Sequence, residues 1–312
     1  MHPNSKALLL AALLAASCSS ESKSPAAAPA AREPAPAAPV APVASQTRDE
    51  RFRAIASELD AATSTYYTEI QAALGDNQNP SAEDWQRVQE KVKEPDRKAY
   101  LARVQALIDE DATDLAAFHA LSWMLDNARE PEQRSAPIAA IEKYHLDRPE
   151  MGKLCGQLAM SHSAVVARLA EKSPHREVRG KATLALAEAL KQDIASAADI
   201  KGKPESELEG YKSWFGAEHF AALQTLDPVA TEKRAVELYE RVQHDYGDIV
   251  VDQGTERETT LGKLAGAALH EMVDLAVGKT APEIESVDLD SVAFKLSDYR
   301  GKVVLLDFWG NW

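Results

Sequence analysis

The stretch that decides the fold is "SPHREVRGKATLALAEALK", Ser173–Lys191. Val178, Ala182, Ala185, Leu186, Ala189 and Leu190 recur at three- and four-residue steps, which places them on one face of an α-helix. Ser173 reads as a cap, and Pro174 as the first helical residue, where a missing N–H is no loss. The same spacing continues on both sides. Phe52, Ile55, Leu59, Tyr66, Ile70 and Leu74 form one stripe; Tyr100, Leu101, Val104, Leu107 and Ile108 another; Leu115, Phe118, Leu121, Met124 and Leu125 a third. Ala235, Leu238, Tyr239, Val242 and Tyr246 follow, then Leu261, Leu264, Ala268, Leu269 and Met272. Turn residues such as Asp76–Pro80, Arg148–Pro149 and Asp227–Pro228 separate them. Residues 48–277 therefore read as an all-helical domain, a bundle or a solenoid of short-linked helices.

Composition narrows the class. The chain has 312 residues, with 45% hydrophobic and 27% charged, as expected of a globular protein with a substantial core. A net charge of −14 and the lack of any Lys/Arg cluster argue against a nucleic-acid partner. Cys18 and Cys155 are the two cysteines, too few for a disulfide framework.

The N-terminus reads as an export signal. Lys6 in a short polar start precedes an apolar stretch, Ala7–Ala16, and then small residues. That stretch is about half the ~20 residues a membrane-spanning helix needs. "AASC", Ala15–Cys18, resembles a bacterial lipobox, although the usual Leu three places before the cysteine is Ala15 here. The resemblance implies a signal peptide over 1–17 and a lipid on Cys18. The chain would then be exported and membrane-anchored, facing the periplasm or the cell exterior. "SPAAAPAAREPAPAAPVAPVA", Ser24–Ala44, lies in a Pro/Ala-rich linker spanning 18–47. Its prolines favour extended polyproline II, which at roughly 3.1 Å per residue reaches about 60 Å.

Within the helical region, candidate chemistry meets plainer explanations. Cys155 sits between Leu154 and Leu158 and reads as a small core residue, since a reactive thiol needs exposure and a basic neighbour. The histidines are scattered singly, without metal-ligand spacing, so no metal site is expected. Trp123 and Trp214 have apolar neighbours and read as core. No phosphate loop, nucleophile elbow or cofactor motif stands out, and no cofactor is expected.

From Leu275 the pattern changes: "LAVGKTAPEIESVDLDSVAFKLSDYRGKVVLLDFWGNW". Glu283–Leu289 and Val292–Leu296 read as two short strands about a turn at Asp290–Ser291. Residues Ser297–Gly301 give a short turn, and Val303–Phe308 is a continuous apolar run typical of a strand buried on both faces. Gly278, Ala281 and Pro282, then Asp288 and Asp290, then "FKLSDYRGKVVLLDFWGNW" resemble the extracytoplasmic thioredoxin-like thiol–disulfide proteins of the TlpA/ResA type, which overlap the AhpC/TSA peroxiredoxin-like group. The resemblance covers about the last 35 residues. One departure is Ser291, where the family usually has glycine, which leaves the turn type open.

The resemblance implies that 278–312 is the first part of a thioredoxin-like domain, so the fold class is mainly α followed by the first strands of an incomplete α/β domain. In that family the tryptophan matching Trp312 is followed at once by Cys-x-x-Cys. Pro282, Asp307, Phe308, Trp309 and Trp312 would flank the redox motif, and no catalytic residue lies within the chain. Without its sheet neighbours, Val303–Phe308 is expected to be exposed and poorly paired. Three explanations stand side by side for a stop at Trp312: a fragment, a nonsense change, or a selenocysteine UGA read as stop. The expected activity is thiol–disulfide exchange with protein thiols or a membrane redox partner, or peroxide reduction. The alternative is a helical lipoprotein that binds a protein partner and carries a vestigial redox tail.

Overall fold

The computed structural model describes residues 46–307, apart from 76 and 78. Cys18, Phe308, Trp309 and Trp312 lie outside the described residues, as do the signal and nearly all of the linker. Most of the described chain is helical. The helices are α1 (Arg48–Leu74), α2 (Ala82–Lys91), α3 (Arg97–Glu110), α4 (Leu115–Asn127), α5 (Pro131–Tyr144) and the short α6 (Cys155–Ala159). They continue with α7 (Ser163–Lys172), α8 (Arg176–Ile200), α9 (Glu205–Phe215), α10 (Ala217–Gln224), α11 (Pro228–Tyr246) and α12 (Leu261–Leu269). Two small antiparallel ladders complete the set, β1 (Val250–Val251) with β2 (Thr259–Thr260) and β3 (Glu285–Val287) with β4 (Ala293–Lys295). Among the described residues no helix is long and apolar enough to cross a membrane.

Helix α8 is shared by two cores. Val178, Ala182, Ala185 and Ala189 close one that also holds Phe52, Val104, Leu121, Ile141 and Leu158. Leu184 and Ala187 belong to a second, with Leu238, Tyr239, Val242 and Leu261. A helix rich in alanine lets neighbours approach from both sides, because its own side chains occupy little space between the axes. Gly180 shows how closely. A Cβ there would meet Leu261 Cδ1 at 2.9 Å and Ile249 Cδ1 at 3.0 Å. A third, small cluster joins Ile200 to Phe220 and Leu223 of α10.

Helix starts follow side-chain acceptors. Thr47 and Glu50 form a reciprocal capping box at α1, and Ser81 with Asp84 another at α2. The start of α8 differs from the sequence reading. Ser173 ends α7, His175 is the cap residue of α8, and the helix begins at Arg176. The residue before a proline is driven out of the helical region, and Ser173 accordingly has ψ 135°. Its hydroxyl still accepts from the His175 N–H at 3.3 Å.

The two tryptophans part company. Trp123 is half-buried, edge-on to Phe52 with ring centroids 6.1 Å apart. Trp214 is 68% exposed, not core, because Leu208, Tyr211 and Phe215 form the packed stripe of α9 and Trp214 lies beside it.

Candidate functional site

The segment carrying the family resemblance begins after a single π-helical turn, His270–Asp274. Gly278 has φ 89°, a conformation that favours glycine. Pro282 is exposed and immediately precedes the hairpin. In the hairpin Glu285 pairs with Lys295, Ser286 with Phe294, and Val287 with Ala293, one residue out of the register that a two-residue turn at Asp290–Ser291 would give. The strands are shorter than the sequence suggested, three residues each.

Ser291 sits at the turn with φ 63°, in the left-handed region where glycine is favoured. Asp288 explains how a serine is tolerated. Its carboxylate accepts from the N–H groups of Asp290 and Val292, each at 2.9 Å, and so holds the turn from inside. The other end of the hairpin is fixed by Glu283. Its carboxylate accepts the Ser297 N–H at 3.0 Å and lies below the usual carboxylate range, chiefly through hydrogen bonding from Ser297. A 3-10 turn, Leu296–Tyr299, follows, with Asp298 accepting from the Lys295 N–H at 2.9 Å. Phe294 meets Tyr299 edge-on at 6.4 Å, and the Lys302 ammonium lies 5.6 Å from the Tyr299 ring centre. Gly301, at φ 82°, redirects the chain toward the apolar run.

That run is where expectation and structure differ in form. Residues 303–307 join no ladder among the described residues, so the predicted strand is not formed there. Val303 and Leu305 are almost wholly exposed, and Asp307 is exposed as well. A strand needs neighbours for its backbone donors and acceptors, and none lies beside this one among the described residues. The expectation that the run would be exposed and unpaired matches the described residues.

Cys155 lies where the sequence placed it. Its thiol is buried in the larger core and donates to the Met151 carbonyl at 3.4 Å. Burial pushes it up to about 12, with only a partial opposing effect from Lys181, so thiolate chemistry is suppressed. Among the described residues no group of three His, Cys, Asp or Glu side chains could hold a metal ion.

The sequence reading missed two histidine arrangements, because each needs a partner brought from another part of the chain. His145 is fully buried; one ring nitrogen lies 2.8 Å from the Ala112 carbonyl and the other accepts from Arg148 at 2.8 Å. His219 lies between the Met160 carbonyl and the Asp193 carboxylate, 2.9 Å from each. No spacing in the sequence signals either.

Comparison with known proteins adds a relation that covers a small part of the chain. No family model matches, and no solved structure does. A stretch of 42 residues, 14% of this chain, is 52% identical to the thiol-disulfide oxidoreductase ResA of Geobacillus kaustophilus (strain HTA426). The same length is 50% identical to the thiol-disulfide oxidoreductase ResA of Geobacillus thermodenitrificans (strain NG80-2). Each match covers 24% of the relative, so the chain spans about a quarter of the length of the curated relatives it matches. That stretch relates the chain to thioredoxin-like thiol–disulfide oxidoreductases. The named proteins to which it is similar are the two ResA proteins.

Proposed function

We propose that the chain is the N-terminal part of an extracytoplasmic, membrane-tethered thioredoxin-like thiol–disulfide oxidoreductase. Residues 48–277 form its helical domain and 278–312 the start of its redox domain. The observation that carries this reading is the 42-residue similarity, at about half identity, to two thiol–disulfide oxidoreductases. We assign that similarity to the segment with the "LSDYRGKVVLLDFW" motif, Leu296–Trp309. The hairpin and the unpaired apolar run support it, because a parallel sheet would give Val303–Leu306 the partners they lack.

The chemistry would come from a Cys-x-x-Cys pair following Trp312. A thiolate at a helix N-terminus attacks one sulfur of a substrate disulfide and releases the other as a thiolate. The second cysteine's thiolate then attacks the first cysteine's sulfur and releases the substrate's remaining thiolate, leaving the enzyme oxidised and the substrate reduced. The substrates would be protein disulfides or a membrane redox partner, with peroxides as the second class. Cys18 would carry the lipid, with the Pro/Ala-rich linker as spacer.

Two measurements test this. Reading the DNA beyond the Trp312 codon should show the frame continuing to Cys-x-x-Cys, or to an in-frame UGA in place of the first cysteine codon. The protein extended through that frame should reduce insulin disulfides. An extended protein that is inactive, while 48–277 retains a binding partner, would favour the helical scaffold instead. Separately, labelled palmitate should enter the chain in a lipoprotein-processing host, and Cys18→Ser should abolish the label.

A further inference from the structure

Tyr211, Phe215 and His219 follow one another at four-residue steps across α9 and α10, and their rings stack. Tyr211 and Phe215 have centroids 6.5 Å apart at 19°, and Phe215 and His219 are 5.5 Å apart at 17°. Both ends of the stack are tied to carboxylates of α8. Tyr211 Oη donates to Asp199 at 2.6 Å, and His219 Nε2 lies 2.9 Å from Asp193 Oδ1.

The bonds at His219 fix a proton count. Nδ1 lies 2.9 Å from the Met160 carbonyl, which only accepts, so Nδ1 carries a hydrogen. A neutral ring then has only a lone pair at Nε2, facing Asp193. An ionised carboxylate also offers only lone pairs. The contact therefore needs one more proton, on the ring or on the carboxyl, and the two groups hold it jointly. His145 is the contrast: it faces one acceptor and one donor, Ala112 O and Arg148 Nε, and a neutral ring satisfies both.

The setting is partly dry. The His219 and Asp193 side chains are only 21% and 19% exposed. Asp193 is the charged group that α8 presents to the imidazole; α6 presents a carbonyl, α9 the Phe215 ring, and Glu218 on α10 itself is exposed. Burial raises the Asp193 carboxyl above the usual aspartate range, with His219 opposing it.

What the pair holds down is weakly anchored otherwise. No residue of α9 is buried, and the α9–α10 hairpin rests on the small cluster of Ile200, Phe220 and Leu223. Gly202 and Gly216, at φ 79° and 81°, bracket α9. Beneath α9 lies a groove of about 570 Å³, lined by Ser196 and Asp199 of α8 and by Tyr211, Trp214 and Phe215.

We propose that His219 and Asp193 form a proton latch: with the shared proton present the α9–α10 hairpin is clamped over this groove, and its loss as pH rises frees the hairpin. The proton passes to water, and only hydrogen bonds are broken. The clamped form binds a proton that the freed form holds less tightly. Clamping is thus complete on the acid side of the pair's titration and is lost as pH rises through it.

Hydrogen exchange of the full chain, followed by mass spectrometry and corrected for intrinsic rates, tests the latch. Protection of 205–224 relative to α11 should fall about tenfold between about pH 5 and about pH 9 as the shared proton is lost. Asp193→Ala and His219→Ala, which remove the shared hydrogen bond, should show low relative protection at both pH values, whereas Asp193→Asn, whose amide N–H can serve the lone pair of the neutral ring, should keep protection at both, in each case with no fall. Tyr211→Phe removes the other tie and should lower protection at both pH values while keeping the fall. Equal relative protection at both pH values, or the same fall in Asp193→Asn, would overturn the latch. If Asp193→Asn fails to fold, NMR titration of the wild-type His219 ring decides: a proton step coincident with loss of protection supports the latch, and its absence refutes it.

Discussion

Val104 and Leu305 are both aliphatic residues in apolar surroundings, yet the first is 0% exposed and the second 92%. Val104 lies on a helix whose backbone bonds are satisfied internally, so burial requires only a neighbouring helix face. Leu305 lies in a run read as a strand, whose backbone groups need a partner before its side chains can be covered. From 277 to 307 no residue is buried, whereas α1, α3 to α8, α11 and α12 build two continuous cores. A helical region can complete itself from local segments, and a strand waits for sequence far away.

The comparison can be broken by substitution. Tyr239 is 1% exposed at the centre of the second core, so Tyr239→Ala should cost about 3–5 kcal/mol in denaturant unfolding. A loss below about 1 kcal/mol would mean that this core is not cooperative. A smaller, pH-dependent effect is expected at His145, where burial, the largest cause, holds the ring below the usual histidine range. The unfolded ring takes a proton at its ordinary value while the folded ring does not. The contribution of the neutral ring is therefore whole above that value and falls away toward the lowered one. Stability should decline on that acid limb, and His145→Asn should flatten it; an unchanged slope would show that other groups set it. The smallest effect is expected in the tail. Leu305→Ser should shift the unfolding midpoint by no more than about 0.5 kcal/mol, while reducing aggregation at high concentration. A large destabilisation would show that the tail is packed and that the contrast is wrong.

Much was legible beforehand wherever the code is local. The stripes from Phe52 and Leu101, the burial of Cys155 and the hairpin before Leu296 all follow from short-range periodicity and turn chemistry. Errors arose where neighbours compete. Pro174 suits a first helical residue, but its restriction of Ser173 ends α7, and α8 begins two residues later. Trp214 looked apolar enough for the core, but α9 covers only one stripe. The candidate redox site was legible only as a resemblance, and its approach residues Phe308, Trp309 and Trp312 lie outside the described structure. Ser291 shows the finer limit, since its turn is secured by an aspartate three residues earlier.

The sequence by itself determined a helical chain, a hairpin followed by an apolar run, and a local similarity to thiol–disulfide oxidoreductases. Each depends on residues within a few positions of one another. Only the tertiary structure decided that α8 serves two cores, that Gly180 has no room for a side chain, and that His219 meets Asp193. Those pairings join residues far apart in the chain, and the chemistry of a group is set by what surrounds it after folding. Burial raises the Asp193 carboxyl through surroundings that no short stretch encodes.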